Sequence, residues 1–208
     1  MNNSTENTQP ASSSFYENLL SQFNYAPLTI LYEYLKSLDT QDYTQVLKAL
    51  MEKARQNDEV NRQLQTWEQQ SVRPNRSRFL VKLINHTDQP LEVGENNLSL
   101  DANEQAFMNI LPWDIQALKF DFAYSRPLGS RSKDIFQRFI IFGDQTLGFR
   151  FDFGLRVNTS FGVISPTLTP VRTNKVSSIG ATPIKCVTRI THSSSEEPYG
   201  FTVEITLS

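Results

Sequence analysis

The sequence is poor in the residue types that build disulfides and metal centres. It has one cysteine, Cys186, in 208 residues, which excludes a disulfide within the chain and a multi-cysteine metal site. The two histidines, His86 and His192, are too few for a histidine-rich centre, so we predict no metal and no other cofactor. No hydrophobic run approaches ~18 residues, and we therefore predict no ordinary transmembrane helix.

An excess of charge of one sign is also missing. With 20 basic and 22 acidic residues the net charge is −2, which argues against a generally basic nucleic-acid-binding protein. The patterns G-x-x-x-x-G-K-[ST], G-x-G-x-x-G, H-E-x-x-H and G-x-S-x-G are absent, so the sequence lacks the usual phosphate-binding loops and hydrolase motifs. We therefore predict a protein that is not an enzyme and does not bind nucleic acid.

The N-terminal residues 1–14 are polar and hold no apolar cluster. This composition predicts a disordered tail. The segment also lacks the basic region and the apolar stretch of a secretory signal peptide. An export or loading signal for a non-classical injection system is the alternative interpretation, since such signals are often polar and unfolded. The localisation stays open.

The chain changes character near residue 75. Twelve of its fourteen phenylalanines and all eight glycines follow that position. Residues 15–70 instead carry apolar residues at helical spacing, with a break at Pro27 and a helix cap predicted at Asp39 and Thr40. The end of this helical region is mostly polar, which suggests that it projects from the body or pairs with another chain. Residues 71–77 are predicted to be a linker.

Residues 78–208 alternate between short apolar runs and turn residues, which is typical of strands. About eight short strands in this length predict an antiparallel β-sandwich, and the last two predict a terminal hairpin. The fold class is therefore α+β, with an N-terminal helical region followed by an antiparallel β-sandwich. The predicted strands are 78–84, 91–93, 105–111, 116–124, 136–142, 146–153, 159–164, 184–191 and 201–207.

A basic stretch inside the predicted sandwich is the main candidate binding site. It combines four cations with Pro127, Gly129 and Ser130, and it leads into an apolar strand. Such a loop is compatible with phosphate groups of lipid heads or of another anionic surface, and the alternative is an ordinary solvated loop. Aromatic residues exposed near it would indicate a membrane interface. The candidate lipid- or anion-binding residues are Arg126, Arg131, Lys133, Arg138, Trp113 and Tyr124.

Candidate catalytic residues have less support in the sequence than the candidate binding residues have. Cys186 and His192 lie six residues apart on one predicted strand, roughly 20 Å at 3.3 Å per residue, so they cannot form a nucleophile–base pair without a sharp bend. Cys186 is expected to be a packed thiol. Asp121, Asp144 and Asp152 alternate with phenylalanines and are expected on the wet face of a sheet. A hydrolase or transferase therefore has the least support.

Three segments of the chain resemble strands of actinoporin-like and aegerolysin-like sandwiches. The stretch 78–93, RFLVKLINHTDQPLEV, is similar to their first strand and turn. The stretch 144–153, DQTLGFRFDF, and the ending 200–207, GFTVEITL, resemble a middle strand and the last strand of actinoporins. The resemblance implies a compact sandwich that binds phospholipid headgroups. In actinoporins an N-terminal amphipathic helix inserts into the bilayer, whereas this chain carries several helices there.

Two functions are thus expected from the sequence. The first is a membrane-active or lipid-headgroup-binding, toxin-like protein that contacts a phospholipid surface. The alternative is a non-enzymatic protein-interaction module, such as a secreted effector or a cargo of an injection system. Homo-oligomerisation stays open in both cases. Burial of the apolar helix stripes discriminates between the two, because a stripe that packs stably must be released before it can insert into a bilayer.

Overall fold

The computed structural model describes residues 28–38, 42–74, 76–124, 136–162 and 166–208. The described chain forms three helices and eight strands, which confirms the predicted α+β class. The helices are α1 (Leu28–Ser37), α2 (Tyr43–Gln69) and α3 (Ala102–Met108). The strands are β1 (Arg76–Asn85), β2 (Val93–Asn96), β3 (Ile115–Ala123), β4 (Phe136–Gly143), β5 (Gly148–Phe161), β6 (Pro166–Ile179), β7 (Cys186–Ser193) and β8 (Phe201–Leu207).

The chain divides into two compact units, residues 1–58 and residues 59–208. In the first unit, α1 and the first part of α2 bury Leu35, Val46 and Leu50. Asp42 caps α2, since its carboxylate accepts a hydrogen bond of 2.8 Å from the backbone N–H of Thr44. The predicted cap at residues 39–40 lies outside the described residues, as do the predicted tail and the apolar stripe before Pro27.

The second unit contains two four-stranded sheets. Sheet 1 has the order β3-β1-β8-β7 and sheet 2 the order β2-β4-β5-β6. The β7–β8 pair is antiparallel, which confirms the predicted terminal hairpin. The β1–β8 pair is parallel, whereas the other strand pairs are antiparallel. The predicted antiparallel β-sandwich is therefore confirmed, with one parallel pair, in which the first and the last strand of the unit lie side by side at the centre of sheet 1.

An aromatic cluster fills the space between the sheets. Phe79 of β1 lies 4.7 Å from Phe153 and 4.2 Å from Phe201, measured between ring centroids. Phe151 stacks on Phe153 at 5.1 Å. Rings at these separations add favourable quadrupole contacts to the burial of apolar surface. The period-two spacing of the phenylalanines in β5 thus predicted the inner face of sheet 2 correctly, because alternate side chains of a strand share a face.

Strand β1 is buried on both faces. Leu80 and Ile84 point away from the aromatic cluster and are nonetheless buried, as are Val60 and Leu64 of α2. The Nζ atom of Lys82, on the same outer face, donates to Asn61 at 2.9 Å. The last third of α2 therefore covers the outer face of sheet 1 within the second unit. This segment does not project from its unit, because it buries apolar side chains against sheet 1, and its pairing with another chain stays a prediction.

Arg78 connects this helix end to the sheet. Its Nη1 atom donates to the carbonyl oxygens of Trp67 at 2.7 Å and Gln70 at 3.1 Å. Its Nε atom donates to the Asp121 carboxylate of β3 at 2.9 Å. The last carbonyls of a helix have no partner within the helix, and this guanidinium supplies one. Thr202 of β8 adds a further link, since its hydroxyl donates to the Glu68 carboxylate at 2.5 Å.

Two predicted elements differ from the structure. The segment 105–111, predicted as a strand, contains the end of helix α3, which begins with a capping box between Asp101 and Glu104. The D-x-x-E pattern at residues 101–104 indicates a helix start, whereas the apolar spacing of 105–111 predicts a strand. No predicted strand covers β6 (Pro166–Ile179), which contains Pro166 and Pro170 and many hydroxyl residues. Proline is tolerated there because β6 is an edge strand.

We predict that Arg78→Met destabilises the protein by roughly 3 kcal/mol, since the Asp121 carboxylate loses its guanidinium partner and the Trp67 and Gln70 carbonyls lose a charged donor. The measurement is urea unfolding followed by circular dichroism. The matched control is Arg73→Ala, which removes an exposed arginine five residues away and should change the free energy of unfolding by at most about 0.5 kcal/mol. Equal losses in the two variants would contradict a structural role for Arg78.

Candidate functional site

An exposed apolar segment lies at one end of the sandwich and is here called the 107–113 segment. The side chains of Phe107 and Leu111 are 68% and 63% exposed. Trp113 is half-buried and has a positive φ of 58°, a backbone conformation that is unusual for a bulky residue. Phe107 and Leu111 lie four residues apart in the chain, and contiguous exposed apolar surface marks binding sites.

Asn85, at the end of β1, holds this segment in place. It is fully buried, and its Nδ2 atom donates to the carbonyl oxygens of Gln89 at 2.9 Å and Leu111 at 3.0 Å. Its Oδ1 atom accepts hydrogen bonds from the backbone N–H of Thr87 at 3.0 Å and from the Thr87 hydroxyl at 2.7 Å. One buried amide thus uses both donors and its acceptor to join the turn after β1 to the 107–113 segment.

Backbone hydrogen bonds fix the same segment at other points. Ile110 and Leu91 exchange a pair of bonds of 2.9 and 3.1 Å, and the N–H of Trp113 donates to the Thr87 carbonyl at 3.2 Å. The N–H of Val93 donates to the Asn109 side chain at 2.7 Å. The exposed side chains therefore project from a well-bonded backbone, and binding through them costs little conformational entropy.

The surroundings of the 107–113 segment are acidic. Between residues 83 and 118 the chain has six carboxylates and no lysine or arginine. A cavity of about 660 Å³ nearby is lined by Asp88, Glu92 and Asp144 among others. The backbone N–H groups of Leu147 and Thr146 hold the pKa of Asp144 below its ordinary value. The stretch of chain that contains the 107–113 segment is therefore acidic, and Lys185 lies at the same end of sheet 1.

The predicted lipid- or anion-binding residues do not form one site in the described structure. Arg126, Arg131 and Lys133 lie outside the described residues, so their role stays a prediction. Arg138 is half-buried in β4 opposite Phe153, on the inner face of sheet 2. Trp113 lies in the exposed apolar segment as described above.

Tyr124 takes part in the core rather than in a surface site. Its side chain is buried, its hydroxyl lies 3.1 Å from the Glu197 carboxylate, and its ring meets Tyr199 edge-on at 5.6 Å. Sequence reasoning placed Tyr124 at the candidate interface and missed Phe107 and Leu111. The apolar spacing of 105–111 predicts a strand, whereas in the structure a capped helix ends here and leaves Phe107 exposed.

The described residues show no catalytic arrangement around Cys186. Cys186 and His192 pair with opposite ends of β8, with Leu207 and Thr202. Burial raises the pKa of the Cys186 thiol, which disfavours the reactive thiolate. No group of three or more metal-ligating side chains occurs in the part of the chain that the structure describes. In the same part, no helix has the length and hydrophobicity needed to cross a membrane.

A smaller cavity of about 230 Å³ lies on the outer face of sheet 1, next to the end of α2. Its polar lining includes Glu68, Arg78, Thr202 and His192. Three of these side chains already have structural partners, since Arg78 bonds to Asp121 and the helix carbonyls, and Thr202 bonds to Glu68. This cavity is therefore explained by the packing of the helix on the sheet.

We predict that Asn85→Ala lowers the free energy of unfolding by about 2 kcal/mol, because buried carbonyl and hydroxyl groups lose their partner. Hydrogen exchange of the amides in the 107–113 segment should speed up more than that of β5. The matched control is Asn103→Ala on the exposed face of α3, which should leave both properties unchanged. Unchanged exchange in Asn85→Ala would show that the amide does not hold the segment.

Comparison with known proteins assigns no family to this chain. No protein-family model matches it, and no curated protein matches it either. The resemblance of its strands to actinoporins and aegerolysins therefore stays an expectation. The function has to be inferred from the exposed segment, the charges around it and the way in which both are held.

Proposed function

We propose that the protein is a non-enzymatic binding protein that attaches to the interface of zwitterionic membranes through the 107–113 segment. The exposure of Phe107 and Leu111 on a firmly bonded backbone, next to Trp113, is the observation that supports this function. Aromatic and aliphatic side chains of this kind partition into the boundary between headgroups and acyl chains, and tryptophan is enriched there.

The charges determine the preferred lipid. An anionic leaflet attracts basic residues and repels carboxylates, and residues 83–118 contain carboxylates without lysine or arginine. Neutral phosphocholine or sphingomyelin surfaces avoid this repulsion. The basic residues Arg126, Arg131 and Lys133 remain candidates for a second contact with the phosphate groups of the same lipids.

The burial of the apolar stripes of α1 and α2 determines whether membrane binding should release the contents of vesicles. Leu35, Val46 and Leu50, on the apolar stripes of α1 and α2, are buried. Insertion of these stripes into a bilayer would first have to expose them to water, at a cost of roughly 1.5–3 kcal/mol for each large side chain. We therefore propose surface binding as the basal activity, and a toxin-like insertion only after a conformational release.

A basic protein surface is the second candidate partner, and the same carboxylates favour it. Apolar residues at the centre of an interface with charges at its margin are the usual anatomy of protein–protein contacts. An effector or cargo protein would use the 107–113 segment in this way. A partner of this kind and a neutral membrane differ in their salt dependence, because only the charged interface is weakened by added salt.

The proposed function predicts co-sedimentation with phosphocholine and sphingomyelin vesicles and weaker binding to vesicles that contain phosphatidylserine. The double variant Phe107→Ser/Leu111→Ser should weaken binding to phosphocholine vesicles at least about 10-fold, because it removes two apolar side chains from the interface. Dye release from the same vesicles should stay at the background level.

The matched control is Phe161→Ser. Phe161 is 65% exposed, like Phe107, but it ends β5, the strand that begins at the 143–148 turn, so its loss should not affect binding. Circular dichroism checks that all variants are folded. Absence of binding to every vesicle type would refute the membrane function, and equal losses in the two variants would refute the role of the 107–113 segment.

A further inference from the structure

The inference concerns the free edge of strand β7. This strand is the last one of sheet 1 and pairs only with β8 within the described chain. Lys185, just before it, exchanges two hydrogen bonds of 2.8 and 3.0 Å with Ser208. Hydrogen-bonded pairs alternate along an antiparallel ladder, so Val187 and Arg189 face β8. The backbone N–H and C=O groups of Cys186, Thr188 and Ile190 therefore point away from the sheet.

The other edge strands of the described chain have features that discourage pairing with a further strand. Strand β2 has only four residues and an irregular register. Strand β6 contains Pro166 and Pro170, and β3 carries the charged Lys119 and Asp121. Short edges, prolines and charges are the usual means of protecting an edge. Strand β7 has eight residues and no proline.

The side chains of β7 are unusually apolar for an exposed edge. Val187 is 49% exposed and Ile190 is 47% exposed. The strand has no carboxylate and no lysine, and its one arginine, Arg189, pairs with Glu204 of β8 at 3.0 Å. Because Glu204 compensates this charge within the sheet, two copies of β7 can approach each other without a large electrostatic penalty.

The register of β7 determines how it can pair. A bulge between Ile190 and His192 interrupts the ladder, so the regular part is Cys186–Ile190, and Thr188 is its centre. An antiparallel partner with the same sequence would place Thr188 opposite Thr188 and Cys186 opposite Ile190. Threonine–threonine and apolar pairs are favourable cross-strand neighbours. Arg189 would then lie opposite Val187 and not opposite a second Arg189.

We propose that two copies of this chain associate through antiparallel pairing of their β7 strands about a two-fold axis at Thr188. The two copies of sheet 1 then form one continuous sheet of eight strands. Such an isologous contact is the commonest symmetry of homo-oligomers. The contact is small, since five residues of each copy take part, so we expect a weak dimer whose population rises with protein concentration.

Sedimentation equilibrium of the full chain tests the pairing. Thr188→Pro removes an outward N–H without touching the bonds to β8, and edge strands tolerate such a proline. We expect it to weaken self-association at least about 10-fold, whereas the control Thr188→Val, which keeps the N–H, should retain it. A monomer at all concentrations of the unmodified protein would overturn the proposal.

Disulfide formation tests the register independently of any loss of folding. In a Cys186→Ser background, Thr188→Cys places two thiols directly opposite each other, at a separation of about 5.5 Å between Cα atoms. Val187→Cys gives a cysteine on the adjacent position, but the two copies are offset by two residues, roughly 7 Å along the strands. We expect covalent dimers to form at least tenfold faster with Thr188→Cys. Equal rates would overturn the proposed register.

Discussion

The arrangement of the second unit depends on one guanidinium placed between a helix end and a sheet. Arg78 bonds at once to the last carbonyls of α2 and to Asp121. A buried charge in this position is stabilised by these hydrogen bonds, and an apolar replacement would remove the charged donor from the Asp121 carboxylate and from both carbonyls. This contact holds the end of α2 against sheet 1, where Val60 and Leu64 of the same helix are buried over the outer face of β1.

The rigid end of the sandwich follows from the same principle of satisfied buried groups. Asn85 is fully buried and bonds to two carbonyls and to Thr87. The hydrogen bonds of this buried amide thus hold the backbone from which the exposed side chains of Phe107 and Leu111 project. An exposed apolar surface on a fixed backbone is suited to a flat partner such as a lipid interface. Under the proposed function, the carboxylates of residues 83–118 disfavour contact with anionic lipids.

The edge strand β6 of sheet 2 and the edge strand β7 of sheet 1 have different surroundings. At the β6 side, Arg172 donates to the carbonyls of Ser194 and Tyr199, and its desolvation lowers its pKa. This cation lies over the ring of Phe201 at 5.7 Å and bridges sheet 2 to the turn before β8. The adjoining strand β7 keeps a free backbone edge in the described structure. Arg172 thus bridges the edge of sheet 2, whereas the edge of sheet 1 is the place where the proposed β7 pairing would add a further strand.

The sequence by itself determined the α+β class, the inner face of β5 and the terminal hairpin, because local periodicity encodes which side of a strand is apolar. It did not determine the parallel contact of β1 with β8, the helix over sheet 1 or the burial of Tyr124. These depend on which elements meet across long stretches of chain. The exposure of Phe107 could not be predicted either. The spacing of apolar residues shows which residues are hydrophobic, but tertiary packing decides which of them are buried.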